Sequence, residues 1–128
     1  MDKLDEWNEV KKRIDFLDKN INIKDGNIYL ISIGRNVGNE SYGKGEVFLR
    51  PVIVFKKLGH NYFIGIPLTS KEKIGNYFFK FPYKDKNSYA MFNQIRTFNV
   101  KRILKYHGKI KKDDFIELKK CFKEFLCL

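Results

Sequence analysis

Arg50 to Ser70 reads Arg-Pro-Val-Ile-Val-Phe-Lys-Lys-Leu-Gly-His-Asn-Tyr-Phe-Ile-Gly-Ile-Pro-Leu-Thr-Ser, two apolar runs on either side of a polar turn. The runs 52–57 and 62–68 are rich in β-branched and aromatic residues, and Gly59-His60-Asn61 between them is a compact turn signal. Together they predict an antiparallel hairpin. Pro51 holds φ near the value of an extended chain and pushes Arg50 out of the helical region, which sets the guanidinium at the mouth of a strand. On its N-terminal side lies a glycine-rich polar loop, Gly34 to Gly45, with Glu40 inside it. An always-charged planar fork beside such a loop suits phosphate.

Working outward, Asp25-Gly26 marks a turn, and Ile28-Tyr29-Leu30-Ile31-Ser32-Ile33 is short and apolar enough for a core strand. Further extended segments are expected at 76–82, 88–98 and 103–110. Near the C-terminus Phe115, Leu118, Phe122 and Phe125 recur at three and four, so they form one face of a helix. Asp113 or Asp114 is expected to cap it, with Glu117 completing a capping box. At the other end Leu4, Trp7, Val10, Ile14 and Leu17 repeat with helical period behind Asp2, Asp5 and Glu6, which predicts an amphipathic helix over 3–19. The fold expected is mainly β with α: a small barrel or strongly curved sheet, an N-terminal helix and a covering C-terminal helix.

Length and composition bound the rest. A chain of 128 residues with 43% hydrophobic and 16% aromatic content has material for one core. It reads as a single domain, 1–128, with 1–22 as a helical extension and 23–128 as barrel plus helix. Cys121 and Cys127 lie six apart in the expected last helix, so they point in different directions and are read as packing residues of a reduced, cytoplasmic protein. No apolar run approaches the roughly 18 residues of a membrane span. Lysine and arginine total 26 against 15 acids, a net charge of +11, which attracts polyanions and suits nucleic acid.

Candidate site residues fall at strand ends and loops. Thr69 and Ser70 end the second hairpin strand, where a hydroxyl either projects into a site or bonds its own backbone. In Gln94-Ile95-Arg96-Thr97 strand alternation sets Gln94 and Arg96 on one face. Arg96 alone reads as an arginine tying strand to turn. His60 and His107 have no ligand-spaced partners, so no metal site and no cofactor is expected. Tyr42, Phe48, Tyr77 and Tyr83 are loop or edge aromatics near lysines, and Tyr42 adjoins the arginine loop.

Taken in order, Gly38-Asn39-Glu40, Arg50-Pro51-Val52-Ile53-Val54, Ile66-Pro67-Leu68-Thr69-Ser70, Asn93-Gln94-Ile95-Arg96-Thr97 and Lys101-Arg102-Ile103-Leu104 resemble the MazF/PemK family of toxin endoribonucleases. The resemblance runs from about Gly26 to the C-terminus. It implies a homodimeric SH3-like barrel that cleaves single-stranded RNA without metal and is silenced by an antitoxin. By the same resemblance Arg50 and Thr69 match the catalytic pair, with Ser70 as the neighbouring hydroxyl. Glu40 matches the acid of the glycine loop, and Gln94 and Arg96 match a largely structural signature with contact to RNA. The loop carries extra residues, Tyr42 to Leu49, which makes Glu46 a rival to Glu40. Asn93 and Met91 stand where the PemK branch has an acidic and a basic residue, which favours the Arg50 and Thr69 arrangement.

The chemistry needs no more than these groups. RNA carries its own nucleophile, the 2′-hydroxyl, so cleavage requires positioning, proton transfer and stabilisation of charge on phosphorus. Two other classes stay open at this stage: a non-catalytic toxin of the same fold that binds gyrase, and a passive nucleic-acid-binding barrel.

Overall fold

The computed structural model describes residues 22–34 and 48–128. The expected helix over 3–19 and the loop residues Glu40, Tyr42 and Glu46 lie outside the described residues. Seven strands and one helix follow in order: β1 Asn27–Gly34, β2 Phe48–Lys57, β3 Tyr62–Thr69, β4 Phe78–Tyr83, β5 Lys86–Met91, β6 Arg96–Asn99, β7 Ile103–Lys109 and α1 Lys112–Phe125. They form one antiparallel sheet of order β4-β5-β3-β2-β1-β7, with β6 also paired to β3.

The hairpin of β2 and β3 is its axis, as the apolar runs predict. Val52, Ile53 and Val54 pair with Pro67, Ile66 and Gly65. β3 then serves two neighbours on its other edge: Tyr62 to Gly65 pair with β6, and Leu68 and Thr69 with β5. This divides the molecule into two apolar layers, because β1, β2 and β3 bury both of their faces. Tyr29, Ile31, Val52, Val54 and Phe63 point to one side, where Phe98, Val100 and Ile103 complete a cluster. Ile28, Ile53, Ile66 and Leu68 point to the other, against Phe79, Phe81, Ala90 and Phe92 of the β4-β5 segment and Leu118 of α1.

Two glycines allow the close approaches. Gly26 takes φ +90 in the turn before β1, and its N–H donates to the Val54 carbonyl at 2.8 Å. Gly65 lets Phe63 and Phe98 stack at 5.7 Å over it; a Cβ there would stand 2.6 Å from Val52 Cγ1.

α1 begins at Lys111, whose side chain makes no cap bond, and Asp113 and Asp114 sit inside its first turn. The expected capping box is therefore absent, and the aspartates act through the helix dipole instead. Leu118 is fully buried, and Phe115, Cys121, Phe122 and Phe125 pack around it. Phe55, the extra residue of a bulge in β2, meets Phe122 at 5.0 Å. Cys121 packs as expected; Cys127 is exposed and does not.

Two further expectations are corrected. The extended segment 88–98 is broken by a 3-10 turn, Phe92–Gln94, between β5 and β6. The barrel is not closed: among the described residues no ladder joins an end of the sheet to β7 except β1. Side chains make the remaining link. The Lys84-Asp85 tip of the β4-β5 hairpin, both residues at positive φ as a type I′ turn requires, carries Tyr83 to β7. There the Tyr83 hydroxyl lies 2.6 Å from His107 Nδ1. His107 is the extra residue of a bulge opposite Ile28 and Tyr29, which re-aims its ring.

Candidate functional site

Arg50 is the third residue of β2 rather than the residue before a strand, and its side chain is half-buried. On one side it pairs with Ile31 of β1. On the other, the β2–β3 pairing runs from Lys57–Phe63 to Val52–Pro67, and Arg50 and Thr69, the last residue of β3, each lie two residues past that final pair. Residues directly opposite in an antiparallel pair share a face, and adjacent strands are about 4.8 Å apart. Thr69 in turn pairs with Tyr89, and Tyr89 with Lys80. Ile31 and Arg50 thus pair across β1 and β2, while Thr69, Tyr89 and Lys80 line up across β3, β5 and β4, and strand alternation past Val52–Pro67 turns Arg50 and Thr69 to the same side.

Burial differs from residue to residue among these five. Ile31 is inaccessible, Arg50 and Thr69 are half-buried, Tyr89 is buried and Lys80 is exposed. Thr69 Oγ1 accepts from the Lys71 backbone N–H at 3.2 Å. That is the local turn bond expected of a strand-end hydroxyl, and it orients the side chain while leaving the hydroxyl proton free to donate. Ser70 follows, exposed.

The other candidates separate. Arg96 pairs with Gly65, which places it on the face of Arg50 but four residues along β3 from Thr69, about 13 Å at the rise of a strand. Its guanidinium lies 5.0 Å from the Phe98 ring, a cation–π contact of the tying kind. Gln94 is exposed in the 3-10 turn, so it does not share a strand face with Arg96. Lys80 and Tyr89 were not legible as site residues. Their alternation is visible in Phe79-Lys80-Phe81, but which strand lies beside Thr69 is a matter of pairing.

His60 is an exposed turn residue, and His107 is taken up by Tyr83. Burial first, then the fields of Lys84, Lys105 and Lys86, hold His107 below its ordinary value. Burial first, then Tyr106, pushes Tyr83 up to about 12. Near pH 7 a neutral imidazole and a neutral phenol thus share this hydrogen bond, its direction set by the imidazole tautomer. Among the described residues no three His, Cys, Asp or Glu side chains gather as metal ligands. No described helix is long and apolar enough to cross a membrane.

Comparison with known proteins bears on this arrangement. Residues 24–126 match the model of a family described as PemK-like, MazF-like toxin of type II toxin-antitoxin system. No curated protein matches the chain. Among solved structures it is similar to the crystal structure of MazE-MazF (Form-II) from Deinococcus radiodurans, at a TM-score of 0.64 and 14% identity. That alignment covers 84% of this chain and 99% of the other. At such identity the likeness is one of fold.

Proposed function

The chain belongs to the PemK-like, MazF-like toxins of type II toxin-antitoxin systems, and from that premise we propose that it is an endoribonuclease cleaving single-stranded RNA, mRNA in particular, without metal. The observation that supports this most is that Arg50 and Thr69, a fixed cation and a hydroxyl, lie on neighbouring strands, each two residues past the last β2–β3 pair and turned to the same side. In the reaction proposed, the RNA 2′-oxygen attacks the adjacent phosphorus and the 5′-oxygen leaves. The products are a 2′,3′-cyclic phosphate and a 5′-hydroxyl, and no water is consumed. Arg50 clamps the phosphate and offsets the charge that builds on it, and Thr69 donates to a non-bridging oxygen. Glu40 is the acid proposed to contact substrate or assist, with Tyr42 stacking a base beside it. Ser70, Gln94 and Arg96 are proposed to border the bound strand.

The remaining proposals follow from the family. The toxin acts as a homodimer in the cytoplasm, and its cognate antitoxin covers the basic face with an acidic segment that folds on binding. The test is incubation with a mixed-sequence RNA in EDTA. Cyclic phosphate ends are expected, and Arg50→Ala is expected to lower the rate at least about a hundredfold while the fold persists. Intact RNA, or full activity in a folded Arg50→Ala protein, would overturn the reading. Loss of gyrase supercoiling with intact RNA would favour a gyrase-binding toxin instead.

A further inference from the structure

Lys80 pairs with Tyr89 beside Thr69, and the hairpin tip beyond it carries further positive charge. Along β4, Phe79 and Phe81 point into the apolar layer while Lys80 and Pro82 are exposed. Two residues on, Lys84 stands at the hairpin tip, about 13 Å from Lys80 at the rise of a strand. The tip opens on a cleft of about 560 Å³ whose lining includes Lys84, Lys86, Asn87 and Lys111, with Asp85 its one carboxylate among the described residues. A second hollow of about 250 Å³ continues past Lys111 to Lys109 and Lys112, ending on Asp25.

Single lysines on a surface mean little, but their balance here is uneven. Among the described residues outside α1 the acids are Asp25, Glu72 and Asp85, against fifteen lysines and arginines. The cleft is rimmed by three lysines against one carboxylate, which favours an anionic occupant. Pro82 lies in an end strand and offers no N–H, which weakens that edge for an added strand of a protein partner. A phosphodiester backbone needs neither an apolar groove nor a free ladder, only a track of cations.

We propose that Lys84, Lys86 and Lys111 form a rail that binds the RNA backbone flanking the scissile phosphate. It rests on the nuclease reading for which part of the strand it holds. The rail makes the β4-β5 hairpin a binding element distinct from the Arg50 and Thr69 pair.

The test is fluorescence anisotropy with a labelled mixed-sequence RNA, on the Arg50→Ala protein so that the probe stays whole. Lys84→Ala, Lys86→Ala and Lys111→Ala are added together. Three lost phosphate contacts are expected to flatten the plot of log affinity against log salt by about two units. Raising salt from about 50 to 200 mM then costs the triple variant about tenfold to twentyfold less affinity than its parent. Replacing the three lysines by arginine is expected to keep the parental slope. An NMR titration adds a readout independent of charge removal: bound RNA opposes the lysine field at His107 and moves its titration upward. An unchanged slope in the folded triple variant overturns the proposal. So does polyglutamate that binds through these lysines while RNA affinity is untouched. If the slope flattens as expected but unmodified protein leaves RNA intact, the rail stands and the nuclease reading falls.

Discussion

Gly65→Ala is the substitution for which the structure sets the sign most firmly. Gly65 is buried in β3 between Val54 and Arg96 of the flanking strands. An added Cβ would stand 2.6 Å from Val52 Cγ1, 2.8 Å from Phe98 Cδ2 and 2.9 Å from Phe63 Cε2. Carbon atoms prefer about 3.5 to 4.0 Å, so each neighbour must yield by most of an ångström. None can swing into solvent, because Val52 and Phe63 are wholly buried and Phe98 is 4% exposed. Overpacking of this kind costs about 1–3 kcal/mol, and replacing a strand glycine returns about 0.5–1. The midpoints of those ranges net to a loss of about 1 kcal/mol, read as a melting temperature lower by about 4–5 °C at this chain length. Urea and thermal unfolding followed by circular dichroism measure it. Gly59→Ala is the control: no atom lies within 4 Å of its Cβ, so it should be neutral or stabilising by up to about 1 kcal/mol. A Gly65→Ala protein as stable as the parent would refute the described packing of Phe63, Phe98 and Val52.

Three further outcomes are expected. Since the folded pKa of His107 lies below its ordinary 6.5, the unfolded chain binds more protons between the two values. This contribution to stability is whole above about pH 6.5 and is lost as pH falls through the folded value; Tyr83, raised to about 12, contributes fully below about 10 and loses it as pH rises through 12. Urea midpoints across pH should show both arms, and Tyr83→Phe with His107→Asn should remove them. Thr69→Val is expected to slow RNA cleavage about tenfold or more, with rescue by Thr69→Ser, since a hydrogen bond to a charged group is worth about 1.5–3 kcal/mol; Ser70→Ala with the larger effect would reassign the hydroxyl. In limited alkylation at neutral pH, Cys127 should react before Cys121, whose thiol is partly buried and pushed up by that burial and by Glu117 and Glu124. Equal rates would contradict the packing of α1.

What was legible in the sequence was what local pattern determines. The hairpin of β2 and β3 follows from its runs and turn, and the buried face of α1 from Phe115, Leu118, Phe122 and Phe125. The break at Phe92–Gln94 was hidden, because Met91-Phe92-Asn93-Gln94-Ile95 has no glycine or proline to mark it. The β4-β5 tip was hidden too, since Lys84-Asp85 lacks the usual glycine of a type I′ turn. Arg50 and Thr69 were found as candidates by their motifs, but their alignment depends on register, a long-range property that no single segment carries. Lys80 and Tyr89 come beside Thr69 only through pairing with a distant strand.

That register needs a cause, because β2 and β3 are apolar on both faces. In a strand with one solvated face, a slip of one residue moves the hydrophobic set into water and is strongly penalised. Here a slip would only exchange Val52 for Ile53, or Pro67 for Ile66, and hydrophobicity alone would barely resist it. Shape resists it instead. Only Gly65 fits beneath the stacked rings of Phe63 and Phe98, and a shift by one residue would bring Ile64 or Ile66 to that spot with a side chain where no Cβ has room. The Phe55 bulge adds a second pin by holding its ring against Phe122 of α1. Fixing Val54 opposite Gly65 fixes Val52 opposite Pro67, and with it the side of the sheet to which Arg50 and Thr69, each two residues further on, are turned. The packing of a glycine about 13 Å away therefore sets the alignment of the proposed catalytic pair.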